Sequence, residues 1–71
     1  MQITELENFG KHIKKLRKER KLTLVNLCYK NDLEPSTVSR IEKGLVEPKY
    51  FTLTKLAKAL DVDMNTLFDF K

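Results

Sequence analysis

Seventy-one residues are expected to form one small domain over residues 1–71, too small to enclose a sizeable substrate pocket; one Cys and one His exclude a disulfide and a four-ligand zinc site. Fourteen Lys and Arg against ten Asp and Glu give a net charge of +4, which suits a polyanionic partner without identifying one. No stretch approaches the ~20 apolar residues of a membrane span, and Glu5, Glu7 and Asn8 stand where a signal peptide would be apolar, so a reducing, cytoplasmic location is expected.

The first element is an amphipathic helix. Ile3, Leu6, Phe9, Ile13 and Leu16 recur every three or four residues. Thr4-Glu5-Leu6-Glu7 has the form of a capping box, with Thr4 as N-cap and Glu7 reaching back. Gly10 costs this helix ~1 kcal/mol against Ala, which predicts frayed first turns. Between Lys11 and Lys21 stand seven cations and one acid, Glu19. Such a run reads first as a solvated helix face, with cations suited to the negative end of the helix dipole.

Thr23 can cap a second, short helix with Leu27 and Cys28 inside. Asn31-Asp32 stops it, because both residues tolerate the left-handed conformation of a sharp turn. Pro35 fits the first position of a third helix, where its missing N–H is not needed, and Gly44 ends that helix. At ~100° per residue, Val38 and Ile41 point to one side, while Ser36, Ser39, Arg40 and Lys43 point to the other. A helix with a core side and a side of hydroxyls, a guanidinium and an ammonium can lie in the major groove of DNA and read it.

Leu45 to Lys49, with Pro48, is a loop. Leu53, Leu56, Ala57 and Leu60 mark a fourth helix without a clear N-cap, and Asp63 caps a fifth, with Val62 and Leu67 placed as a hydrophobic staple. There is no strand-like alternation and no repeat. The predicted fold is all-α, a compact five-helix bundle.

So arranged, the chain resembles the Cro/C1-type helix-turn-helix family, which includes the DNA-binding domain of the phage lambda repressor. The resemblance rests on IKKLRKERKLT at Ile13–Thr23, STVSRIEKG at Ser36–Gly44 and LTKLAKALDVDMNTLF at Leu53–Phe68, in order and in register. It implies a helix-turn-helix at about 24–43 and sequence-specific binding of double-stranded DNA. It further implies that Arg17 pairs with Glu42 and neighbours phosphate. Cys28 becomes the small buried residue where the two motif helices cross. Pro35, Ser36 and Arg40 face base edges, with Ser39 at the edge of the stripe, and Lys43 and the loop through Lys49 contact phosphate.

Three positions depart from the family pattern. Leu24 replaces the usual Gln at the start of the second helix, Asp32 replaces the turn glycine, and Glu34 replaces the Ser or Thr N-cap of the recognition helix. A carboxylate at position 34 is either tolerated through the helix dipole or accepts from cytosine N4.

Of the remaining residues, His12 is expected to be exposed without ligand partners, and Cys28 to be a buried apolar group rather than a redox centre. Phe68 is expected to close the core, while Phe70 with Leu67 or Met64 forms a two-fold dimer contact. The function that follows is a dimeric transcriptional regulator on a near-palindromic operator, with no cofactor and no catalytic apparatus: there is no nucleophile–base pair, metal-ligand set or phosphate-cradling glycine loop. The alternative is a protein-interaction module, such as an antitoxin-like partner-binding protein, that keeps the fold with weak DNA binding; Leu24, Glu34 and Glu47 favour it.

Overall fold

A computed structural model describes residues 3–70, which form five helices and, among those residues, no strand. They are α1 (Ile3–Glu19), α2 (Leu24–Cys28), α3 (Pro35–Glu42), α4 (Tyr50–Leu60) and α5 (Met64–Leu67). The expected five-helix, all-α architecture is present, and the segment at 24–43 is a helix, a turn and a helix. No helix of the described residues is long and apolar enough to cross a membrane.

Every helix supplies part of one core. Phe9 and Ile13 come from α1, Leu27 from α2, Val38 and Ile41 from α3, Leu56 and Leu60 from α4 and Leu67 from α5; all eight are fully buried. Helices as short as α2 and α5 have too few internal hydrogen bonds to persist alone, so this shared burial is what holds them.

Three expectations for α1 need correction. The helix already includes Ile3, so Thr4 and Glu7 lie inside it and do not form a capping box at its start. Ile3 is exposed rather than part of the stripe, because the buried residues begin only at Phe9. Nor are the expected frayed first turns seen: the helix is continuous from Ile3 through Gly10 to Glu19, 17 residues. Gly10 serves a crossing: a Cβ there would lie 2.4 Å from the carbonyl oxygen of Ile41 and 2.5 Å from that of Glu42. Only a residue without a side chain lets α1 pass this close to the end of α3.

The helix ends follow from local chemistry. The Asn26 N–H donates to Thr23 Oγ1 at 3.0 Å, and the Thr66 N–H to Asp63 Oδ1 at 2.7 Å, so α2 and α5 carry the expected side-chain caps. Helices α1, α3 and α4 each end on a left-handed residue: Lys21, Gly44 and Asp61. In each the N–H of that residue and the N–H of the next fold back onto the last carbonyls, Gly44 onto Ile41 and Leu45 onto Arg40 at 3.0 Å in the case of α3. Gly44 is required twice over, by its φ of +72° and because a Cβ would meet Glu7 Cα at 2.8 Å.

Candidate nucleic-acid interface

The outward face of α3 is assembled by what its inward face does. Val38 and Ile41 are buried against the bundle, which turns Ser36, Arg40 and Lys43 to solvent and leaves Ser39 and Thr37 half-buried at the edges. Pro35 stands exposed at the first position of the helix. Lys49, at the N-cap of α4, is exposed across a groove of about 320 Å³ that runs between α3 and the α3–α4 loop. Thr37 and Arg40 line one side of that groove, and Glu47, Lys49 and Thr52 the other. Hydroxyls and cations thus share one surface, as phosphate and base-edge contacts require.

Behind this surface lies the brace. Arg17 Nε donates to Glu42 Oε2 at 2.7 Å and Nη2 to Oε1 at 3.1 Å, the two-pronged geometry of guanidinium on carboxylate. A third bond runs from Nη1 to the Leu22 carbonyl at 2.8 Å. Arg17 is only 9% exposed, so this is no solvated surface pair. The hydrogen bond that Arg17 donates to Glu42 raises its pKa above the ordinary value, against the opposing effect of burial, and the guanidinium stays charged. The brace joins the end of α1 to the last residue of α3 and so fixes the tilt of the outward stripe.

The turn is held from both sides. Asp32 adopts the left-handed conformation (φ 54°) in place of glycine, and Lys55 of α4 donates to its carboxylate at 2.9 Å. Lys30 is left-handed as well (φ 62°), which its sequence gave no reason to expect. Asn31 stays out of that region and instead donates from Nδ2 to the carbonyls of Leu27 and Tyr29. Leu24 packs against the core rather than reaching outward. Cys28 is buried, and burial, with the Glu42 charge adding to it, pushes its thiol pKa up; it is an inert packing group.

At the other end of the molecule three readings change. His12 is half-buried, and its Nε2–H donates to the Thr66 carbonyl at 2.8 Å, tying α1 to α5. These residues are 54 apart in sequence, beyond any local pattern. Leu67 is fully buried in the core and is unavailable to a second chain. Phe68, expected inside, is the more exposed of the two rings; it stacks on Phe9 at 5.4 Å while Phe70 meets the same ring edge-on at 5.6 Å. Met64 and Phe68, one turn apart, line an open groove on the outer side of α5.

Sequence reasoning missed the close crossing at Gly10, the groove residue Thr52, and the exposed pair Tyr50 and Phe51, whose rings meet edge-on at 5.4 Å. The signal for the pair was present: both stand off the Leu53-Leu56-Ala57-Leu60 stripe at the very start of a helix.

Residues 13–67 match the helix-turn-helix family model. The HTH-type transcriptional repressor RghR of Bacillus subtilis is 41% identical over 63 residues, 87% of this chain and 47% of that protein. The immunity repressor protein of Bacillus phage phi105 is 40% identical over 58 residues, 82% of this chain and 40% of the repressor. The chain therefore spans less than half the length of these curated relatives. Among solved structures, the restriction-modification controller protein C.AhdI from Aeromonas hydrophila superposes with a TM-score of 0.87 at 31% identity, over 92% of this chain and 98% of that one. With its helices, turn and brace where that motif needs them, the chain belongs to the Cro/C1-type helix-turn-helix family.

Proposed function

We propose that this protein is a sequence-specific, double-stranded DNA-binding transcriptional regulator, acting in the cytoplasm, that inserts α3 into the major groove. The observation that carries this reading is the exposed stripe of Ser36, Arg40 and Lys43 on a helix locked from behind by Val38, Ile41 and the Arg17–Glu42 brace. Arg40 is the principal base reader, bidentate to guanine; Pro35, Ser36 and Ser39 complete the contact with base edges and the near backbone. Lys43 and Lys49 hold phosphates, and Arg17, a neighbour of the phosphate-facing surface, acts mainly through Glu42. The similarity to proteins named as repressors and as a restriction-modification controller supports this class of function.

The regulator acts as a two-fold dimer that sets two α3 helices ~34 Å apart on a near-palindromic site. Met64 and Phe68, with Phe70 beside them, form the contact, Leu67 being excluded by its burial. Selection of bound sites from a random DNA library, followed by binding at two salt concentrations, tests the whole reading. A regulator enriches a motif with two half-sites and loses affinity steeply with salt. A protein-interaction module with this fold enriches nothing and has almost no affinity for random DNA to lose.

A further inference from the structure

The N-caps of the four helices after α1 divide into two kinds. Thr23 and Asp63 accept hydrogen bonds from the N–H groups of the helices they open, α2 and α5. Glu34 and Lys49, which open α3 and α4, make no such bond. Those two flank the proposed reading surface. Glu34 is exposed, its backbone is extended (φ −100°, ψ 129°), and among the described residues its carboxylate has neither a cap bond nor an ion pair. It stands two residues before Ser36, at the tip of the helix whose first residues meet base edges in this docking geometry.

An uncommitted carboxylate at that tip has few outcomes on DNA. Phosphate oxygens repel it, and so do the acceptor-only edges of guanine (N7, O6) and thymine (O4). Only an exocyclic amino group can satisfy it in the major groove. Cytosine offers N4–H with no acceptor on its own major-groove edge; adenine offers N6–H next to N7, which opposes the second carboxylate oxygen. The positive end of the α3 dipole holds the charge in place in the meantime.

We propose that Glu34 is a specificity-determining residue that accepts from cytosine N4, so that each half-site carries a C·G pair at a position separate from the one read by Arg40. The inference rests on α3 being the reading helix and names what one end of it selects. Because the carboxylate rejects guanine and thymine as well as accepting cytosine, it raises discrimination and at the same time lowers affinity for random DNA.

Parallel site selections with the wild type, Glu34→Gln and Glu34→Ala test this, with far-UV circular dichroism confirming that each exposed-site variant is folded. The wild type is expected to favour cytosine at one position per half-site by about 5- to 100-fold, the range of one good base contact. Glu34→Gln moves that preference to adenine, since an amide donates to N7 while accepting from N6. Glu34→Ala flattens that position alone, leaves the base read by Arg40 unchanged and strengthens binding to random DNA. A wild-type motif that neither variant alters at any position overturns the assignment while leaving α3 as the reading helix. A library from which the wild type enriches nothing overturns both.

Discussion

Replacing Arg17 by Met tests whether the brace is structural or decorative. The substitution keeps most of the side-chain volume and removes three hydrogen bonds: two to Glu42 and one to the Leu22 carbonyl. The Glu42 carboxylate, whose side chain is only 6% exposed, is then left charged and unpaired. Breaking a buried pair in this way costs ~3–5 kcal/mol, against ~0–1 kcal/mol for an exposed pair. A domain of this length has roughly 4–11 kcal/mol of stability in all, so Arg17→Met removes a large part of it and lowers Tm by at least ~12 °C. Glu42→Leu is milder, because Arg17 keeps the Leu22 carbonyl. The double variant Arg17→Met/Glu42→Leu removes both charges and is expected to return to within ~2 kcal/mol of the wild type, since an apolar pair of similar volume usually replaces a buried ion pair well. Urea unfolding of the four proteins, with a shared m-value, gives the coupling energy directly. A coupling below ~1 kcal/mol, or an Arg17→Met cost that small, refutes the claim that this pair is buried and interdependent. The double variant also separates stability from positioning: folded but unbraced, it should bind its selected operator more weakly than the wild type.

Gly10→Ala is expected to destabilise by ~1–3 kcal/mol although Ala is the better helix former by ~1 kcal/mol, because the new Cβ meets two backbone carbonyls that cannot rotate aside; a Tm equal to or above that of the wild type refutes the close crossing. Arg40→Ala should cost ~1–3 kcal/mol on the selected operator and much less on random DNA, and an equal loss on both reduces Arg40 to a phosphate contact. Cys28 should resist a thiol-labelling reagent at pH 8 in the native protein and react as urea opens the fold, since burial both covers it and holds it protonated. Its raised pKa has a sign: the associated stability is complete below the ordinary thiol pKa and is lost as pH rises through the folded value. Rapid native-state labelling refutes the buried assignment.

What the sequence displayed was whatever a single turn of backbone must have. Thr23 and Asp63 cap because a hydroxyl or short carboxylate two or three residues before an N–H reaches it without help from elsewhere. Pro35 and Gly44 mark the ends of α3 for equally local reasons. The buried stripes were visible because helical periodicity repeats the same demand. Hidden were features whose cause lies across the bundle. Gly10 looked like a weak point in a helix until α3 came to lie against it, and His12 looked free until Thr66 arrived from the far end of the chain. Lys21 and Lys30 adopt left-handed backbone without the residue type that usually announces it, carried there by the elements they connect. The candidate site was legible in its stripe and in the Arg17–Glu42 partnership. The groove with Thr52 was not, because it forms only when the loop folds back beside α3.

This division explains how so short an element can hold a fixed outward surface, as the proposed role demands. Eight residues of helix, begun by a residue that does not cap, would not hold their shape in water. The orientation of α3 is therefore supplied from outside it: Val38 and Ile41 anchor one face, Gly10 lets α1 cross its end, and Arg17 clasps its last residue. None of these uses a side chain on the outer face. Ser36, Arg40, Lys43 and, at the tip, Glu34 are consequently released from any duty in folding. Exchanging them should change which DNA is bound while leaving the bundle as stable as before, whereas exchanging the residues behind them should do the reverse.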